Sequence, residues 1–219
     1  MGPPVVLLHG FATSTERTWR EPGWFDLLAD ARRRVFGIDL LGHGDAEKPT
    51  DPAAYDDLVT PVMAQFPETP ADVVGYSLGA RTALQIAMDH PERVNRLVLA
   101  AVGQNLLARD LTGDETMADN VADRFESLIN TPGNDPDALR ACIGRERAGF
   151  TADDLAKVKV PCLLIIGTDD FAGPPEPLAE LLPDAMIKTL PGIDHFGLPK
   201  QFSFIDAALE FIEAVPDWG

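Results

Sequence analysis

Residues 72–90 constrain the fold of this chain more than any other stretch. A run rich in β-branched residues predicts a buried strand that stops at Gly75, and helical spacing begins at Ala80. Between them, Gly-Tyr-Ser-Leu-Gly places Ser77 on a tight turn from strand to helix. Such a turn favours small residues two positions before and after the serine, and it exposes the serine hydroxyl near the positive end of the helix. The stretch therefore predicts a nucleophilic serine.

Five further apolar runs predict strands. They cover residues 5–8, 34–40, 96–102, 161–167 and 185–190. Continuous rather than alternating hydrophobicity is typical of parallel strands that are buried on both faces. The helices predicted outside the serine stretch span residues 24–32, 53–66, 177–182 and 202–215, and residues 12–20 are predicted as a polar loop. Strands that alternate with helices predict an α/β fold with a doubly wound, mostly parallel sheet.

Residues 104–150 differ in character from the rest of the chain, because they contain no predicted strand. Amphipathic patterns predict helices over residues 115–129 and 137–147 instead. We therefore expect an inserted helical lid. The predicted division is a core of residues 1–103 and 151–219 and a lid of residues 104–150.

The formal net charge of −17 limits the partners of this chain, because nucleic acids and anionic membranes repel a strongly acidic protein. No apolar run is long enough to span a membrane, and the start of the chain lacks the pattern of a signal peptide. Cys142 and Cys162 have neither disulfide nor metal-site spacing. We expect a cytoplasmic protein, a monomer or weak homodimer, that binds a small-molecule substrate without a cofactor or a metal.

A nucleophilic serine needs a base, and the chain has four histidines from which the base can be chosen by elimination. His9 ends the first strand, His43 lies in a Gly-His-Gly loop, and His90 is at the far end of the helix after Ser77. His195 follows the last predicted strand, at the end where open α/β sheets bind their ligands. His195 is therefore the predicted base.

The orienting acid and the oxyanion donors are also predicted at strand ends. Asp169 and Asp170 both follow the strand at residues 161–167, and either can accept a hydrogen bond from the base. A tetrahedral intermediate needs two N–H donors. The N–H of Leu78 supplies one directly after the serine, and the N–H of Phe11 supplies the other after the first strand.

Together these motifs resemble the α/β hydrolase family over nearly the whole chain. The matching stretches are Leu-Leu-His-Gly-Phe at residues 7–11, Asp-Leu-Leu-Gly-His-Gly at 39–44, Gly-Tyr-Ser-Leu-Gly at 75–79, Gly-Thr-Asp-Asp at 167–170 and Asp-His-Phe at 194–196. In that family the acid stands three residues after the glycine. The resemblance thus implies a triad of Ser77, Asp170 and His195, and it implies a lid where residues 104–150 lie.

The chain departs from the family pattern at three points. It starts directly at the His-Gly strand without the usual first hairpin, so we expect a smaller sheet with the strand at residues 5–8 nearer one edge. Asp45 stands where the family normally has a serine, and the lid is short. The nucleophile is a serine rather than an aspartate, which disfavours the dehalogenase branch.

The leading prediction for function is hydrolysis of a small to medium carboxylic ester or thioester through an acyl-enzyme on Ser77. The lid carries apolar residues that can line a pocket. The predicted substrate-binding residues are Trp19, Tyr76, Arg81 and Phe125.

Two alternatives remain open from the sequence. Arg81 lies one helical turn after Ser77, where it can hold a substrate carboxylate, and the run around it is similar to the branch that eliminates pyruvate in menaquinone biosynthesis. This similarity predicts a carbon–carbon lyase or hydrolase. The second alternative is a ligand-binding module that keeps the fold without catalysis.

Overall fold

A six-stranded sheet forms the centre of the computed structural model, which describes residues 2–108, 119–145 and 147–216, with the backbone alone at residues 119 and 120. The strands are β1 (Val5–Leu8), β2 (Val35–Ile38), β3 (Ala71–Tyr76), β4 (Val94–Ala100), β5 (Cys162–Gly167) and β6 (Ala185–Leu190). They lie in the order β2-β1-β3-β4-β5-β6, and each neighbouring pair is parallel. The predicted α/β sheet is confirmed, and β1 lies next to the edge strand as expected.

Helices cover both faces of the sheet. They are α1 (Trp24–Asp30), α2 (Val59–Met63), α3 (Leu78–Asp89), α4 (Asp119–Ile129), α5 (Pro136–Gly144), α6 (Ala152–Leu155), α7 (Glu176–Leu181) and α8 (Phe202–Phe211). Because side chains alternate along a strand, Val6 and Leu8 of β1 join the core under α3, and Val5 and Leu7 join the core under α1 and α8. All four are fully buried, which explains the continuously apolar run. None of the helices in the described ranges is both long and apolar enough to cross a membrane.

Two elements before β3 differ from their predictions. The helix predicted over residues 53–66 is divided into a 3-10 turn (Pro52–Asp56) and α2, because Pro61 lacks the N–H that a continuous helix would bond there. Pro61 lies instead in the first turn of α2, where N–H groups have no intrahelical partner. The predicted polar loop before α1 contains a π-helical turn (Glu16–Arg20), and Trp19 within this turn is fully buried.

The segment predicted as a lid contains α4 and α5 in its described part. Its two ends lie side by side, because the Ala108 N–H donates to the Phe150 carbonyl at 2.9 Å and the Phe150 N–H donates to the Leu106 carbonyl at 2.8 Å. The helices predicted at 115–129 and 137–147 correspond to α4 and α5, although residues 115–118 lie outside the described residues and α5 ends at Gly144. The division into core and lid stays a prediction that these adjacent ends support.

A buried ion pair stabilises the end of the sheet that lies opposite Ser77. Arg33 pairs with Asp72 at the start of β3, and the two side chains are 3% and 0% exposed. Arg33 also donates to the Ile212 carbonyl at 2.8 Å, and Asn95 of β4 donates to Asp72 at 2.6 Å. The pair therefore joins β3, β4 and the residue after α8 in one network.

Candidate active site

Ser77 lies in the turn between β3 and α3. Its backbone has φ +53° and ψ −112°, a conformation that residues other than glycine rarely adopt. A Cβ at Gly75 would lie 2.6 Å from the Ala80 Cα, and a Cβ at Gly79 would lie 2.1 Å from the Leu8 carbonyl oxygen. The two glycines therefore let α3 begin in direct contact with β1 and β3, which places Ser77 at the carboxyl end of the sheet.

Ser77, His195 and Asp170 form a continuous chain of side-chain hydrogen bonds. The Ser77 hydroxyl oxygen lies 2.9 Å from His195 Nε2, and His195 Nδ1 lies 2.8 Å from Asp170 Oδ1. Because an ionised carboxylate only accepts, Nδ1 carries the proton of the neutral ring and Nε2 is free to accept the serine proton. The side chains of His195 and Asp170 are 4% and 0% exposed, so bulk water does not compete for these bonds.

Asp170 rather than Asp169 takes the position beside His195, the predicted base. Asp170 Oδ1 also accepts the Ala172 N–H at 2.9 Å, which orients the carboxylate. The Asp169 side chain is exposed and accepts from the Thr168 hydroxyl at 2.9 Å. Within the described ranges, no group of three or more His, Cys, Asp or Glu side chains is placed to hold a metal ion.

The predicted oxyanion donors are the backbone N–H groups of Phe11 and Leu78. Neither N–H has an acceptor among the residues that the structure describes. Phe11 follows β1 and Leu78 is the first residue of α3, so both groups lie at the end of the sheet that carries the serine. Two unpaired N–H groups in this place are available to an oxygen of a bound substrate.

His9 orients the peptide that carries the Phe11 N–H, a role that the sequence analysis did not assign. His9 Nδ1 donates to the Gly10 carbonyl at 2.7 Å, and His9 Nε2 accepts the Leu40 N–H at 3.0 Å. The Gly10 carbonyl and the Phe11 N–H belong to one trans peptide and point in opposite directions. Burial lowers the pKa of His9, which keeps the ring neutral in this arrangement.

A cavity of about 310 Å³ opens beside Ser77. Phe125 of α4 forms part of its apolar wall, with its ring centroid 5.7 Å from the rings of both Phe11 and Phe196. Thr18 and Lys200 line the more polar side. The predicted binding residue Phe125 is thus beside the serine, and the cavity has the size of a small ligand site.

Tyr76 lies at the edge of the same cavity, directly before the serine. Its hydroxyl donates to the His195 carbonyl at 2.9 Å, and burial raises the pKa of the phenol, so it stays protonated as a donor. Tyr76 therefore holds the loop of the base as well as lining the cavity.

Trp19 and Arg81 do not lie in this cavity, which corrects their prediction as substrate-binding residues at Ser77. Trp19 is fully buried in the core and packs edge-to-face on Trp24 with ring centroids 5.0 Å apart.

Arg81 lines a different cavity of about 650 Å³ and donates to the Ala148 carbonyl. Burial lowers the pKa of Arg81 to about 10, and the charge of Arg147 acts in the same direction. Arg81 does lie one helical turn after Ser77, as predicted, but the Arg81 side chain turns away from the serine.

Comparisons with known proteins agree with this fold. A family model of the α/β hydrolase fold matches residues 3–140. The pimeloyl-[acyl-carrier protein] methyl ester esterase of Nitrosomonas europaea is 28% identical over 242 residues, which cover 92% of this chain and 93% of that protein. A protein of the same name from Neisseria meningitidis serogroup B is 32% identical over 212 residues, covering 78% and 76%. Among solved structures, a bromoperoxidase from Bacillus anthracis has a TM-score of 0.76 at 20% identity, covering 97% of this chain and 92% of that one.

The sheet order, the serine turn and these matches define one class of protein. The chain belongs to the α/β hydrolase fold family. It is an enzyme of the hydrolase class.

Proposed function

We propose that this enzyme cleaves a small to medium carboxylic ester through an acyl-enzyme on Ser77. The observation that carries the proposal is the chain of two hydrogen bonds from Ser77 through His195 to Asp170, at 2.9 and 2.8 Å. Serine is a weak nucleophile unless a base takes its proton, and this arrangement provides a base with a fixed tautomer.

In the first half of the reaction, Ser77 Oγ forms a bond to the ester carbon as its proton moves to His195 Nε2. The carbonyl oxygen becomes an anion that accepts from the N–H groups of Phe11 and Leu78. The bond to the alcohol oxygen then breaks, and His195 donates its proton to the departing alcohol. Asp170 stays ionised and stabilises the imidazolium between these two transfers.

In the second half, water attacks the acyl-enzyme with His195 again as the base. Its proton returns to Ser77 when the carboxylic acid leaves. The enzyme is regenerated, and the net reaction consumes one ester and one water and yields one acid and one alcohol.

The cavity supports a preference for esters with an apolar acyl chain. Its volume is about 310 Å³, and Phe11, Phe125 and Phe196 form an aromatic wall. The two relatives from Nitrosomonas and Neisseria are both named as pimeloyl-[acyl-carrier protein] methyl ester esterases. A thioester of the same acyl size fits the same chemistry.

The carbon–carbon lyase has weaker support. It requires Arg81 to hold a substrate carboxylate at the serine, whereas the Arg81 guanidinium donates to Ala148 and lies 4.5 Å above the Phe150 ring. The non-catalytic module is the remaining alternative, and an activity measurement separates it from the esterase.

The test is hydrolysis of p-nitrophenyl acetate and butyrate by the unaltered enzyme, by Ser77→Ala and by Ser203→Ala. Ser203 is an exposed serine of α8 and serves as the matched control. We expect Ser77→Ala to lower kcat by at least about 10⁴-fold and Ser203→Ala to leave it unchanged. A fluorophosphonate should label Ser77 in the unaltered enzyme. Equal activity in the unaltered enzyme and Ser77→Ala, without labelling of Ser77, would refute the proposal.

A further inference from the structure

The oxyanion loop (Gly10, Phe11 and Ala12) contains an unusual backbone conformation. Ala12 has φ +56°, in the left-handed region that favours glycine, and it is 2% exposed. A residue with a Cβ keeps this conformation only where its surroundings determine it. The contacts of Ala12 therefore bear on the position of the Phe11 N–H one residue before it.

Asn134, from the turn between α4 and α5, supplies one of these contacts. Its Nδ2 donates to the Ala12 carbonyl at 3.0 Å and to the Leu128 carbonyl at 2.9 Å, near the end of α4. Its Oδ1 accepts from Arg17 Nη1 at 3.3 Å. Because carbonyls only accept and a guanidinium only donates, one amide orientation satisfies all three bonds. An asparagine is thus specifically suited to this position.

Apolar packing holds the same segment against the loop. Ala12 is buried together with Ile129 and Leu139, which are 2% and 1% exposed. The Arg17 Nη2 also donates to the Pro132 carbonyl at 2.6 Å. The turn that carries Asn134 is therefore held directly over the oxyanion loop.

We propose that Asn134 is a positioning residue that couples the seating of the predicted lid to the oxyanion hole. The proposal rests on the proposed function. The Phe11 N–H is held from two sides, because His9 fixes the Gly10 carbonyl from the core and Asn134 fixes the Ala12 carbonyl from the lid. When the lid is seated, the bond from His9 and the bond from Asn134 both hold the loop. When the lid lifts, only the bond from His9 remains. The oxyanion hole is then complete only when the lid covers the cavity.

The decisive variant is Asn134→Asp, with Asn130→Asp as the matched control. Asn134→Asp keeps the shape and the acceptor for Arg17, but it places a carboxylate oxygen against two carbonyls. Asn130 lies in the same segment, and among the described residues its Nδ2 donates to Glu126 alone. We expect kcat for p-nitrophenyl butyrate to fall by about 10- to 100-fold in Asn134→Asp with KM within about twofold, because removal of a complete oxyanion donor costs about 10² to 10³. Asn130→Asp should stay within about threefold of the unaltered enzyme.

Two further measurements separate positioning from a structural role. The pH dependence of kcat should keep its midpoint, because the contacts of Asn134 do not include His195 or Asp170. A trifluoromethyl ketone, which forms an oxyanion on the serine, should lose affinity in parallel with kcat/KM. If Asn134→Asp melts below the assay temperature, Asn134→Ala removes the donor without adding a charge and serves in the same test.

The possible outcomes distinguish this inference from the proposed function. If the folded Asn134 variants keep the kcat of Asn130→Asp, or if they change KM alone, the coupling is wrong and the esterase proposal stands. If Ser77→Ala is as active as the unaltered enzyme, the proposed function fails first. Parallel losses in kcat and in ketone affinity support the coupling.

Discussion

Gly79→Ala tests whether the close approach of α3 to β1 sets the catalytic geometry. A Cβ at this position would lie 2.1 Å from the Leu8 carbonyl oxygen and 2.5 Å from the His9 carbonyl oxygen, whereas ordinary contacts begin at 3.4 Å. Both oxygens belong to the backbone of β1 or the residue after it, and they have little freedom to move. The start of α3 must therefore shift by roughly 1 Å, and Ser77 shifts with it.

The consequence for activity follows from the 2.9 Å bond between Ser77 and His195. His195 does not follow the shift, because Asp170 and the Tyr76 hydroxyl hold it through separate bonds. A displacement of about 1 Å at a reacting group costs roughly 10²-fold in rate. Overpacking of this kind also costs about 1–3 kcal/mol in the free energy of unfolding.

The assay is kcat/KM for p-nitrophenyl butyrate, together with urea unfolding at the same temperature. Gly144→Ala is the control, because a Cβ built at Gly144, the last residue of α5, meets no atom of the described residues within 4 Å. We expect about a 100-fold loss of kcat/KM in folded Gly79→Ala and no loss in Gly144→Ala. If Gly79→Ala stays within threefold of the control, the geometric reasoning is refuted.

Three other outcomes are expected. Asp170→Asn should lower kcat by about 10³- to 10⁴-fold with little change in KM, because an amide can stabilise the wrong tautomer of His195. Full activity in Asp170→Asn would exclude Asp170 from the mechanism. Arg33→Met leaves the Asp72 carboxylate buried without its cation and should cost about 3–5 kcal/mol in urea unfolding, and a loss below 1 kcal/mol would contradict this. Burial lowers the pKa of His43 to about 3, so the unfolded chain takes up a proton below pH 6.5 and the folded protein does not. As the pH falls from 6 to 4.5, the free energy of unfolding should therefore decrease by up to about 1.4 kcal/mol per pH unit on account of this residue. His43→Gln should make the free energy of unfolding less dependent on pH in this range. An unchanged dependence in His43→Gln would disprove the assignment.

Much of the site could be predicted because a parallel sheet collects the carboxyl ends of its strands at one edge. Ser77 follows β3, and His195 lies between β6 and α8, so their positions in the order of elements already place them together. The turn around the serine could be read from its two glycines, since their spacing reflects contacts with backbone atoms nearby. The choice between Asp169 and Asp170 depended on family resemblance, and the structure places Asp170 beside the base.

Other residues could not be assigned from the sequence because their roles depend on side-chain direction or on distant contacts. Trp19 reads as a loop aromatic, yet the π-helical turn directs it into the core. Arg81 has the spacing of a neighbour of Ser77, but the rotation of α3 directs it to another cavity. Asn134 lies in an ordinary turn sequence, and its bond to Ala12 joins residues 122 positions apart. No local pattern contains that information.

The sequence by itself determined the parallel sheet, the serine turn and the position of His195 near Ser77, because these follow from periodicity, glycine placement and the order of elements. Only the tertiary structure decided which side chains surround the serine and what holds the oxyanion loop. The physical reason is that backbone conformation responds to local residues, whereas the direction of a side chain in a close-packed protein is set by the elements packed against it.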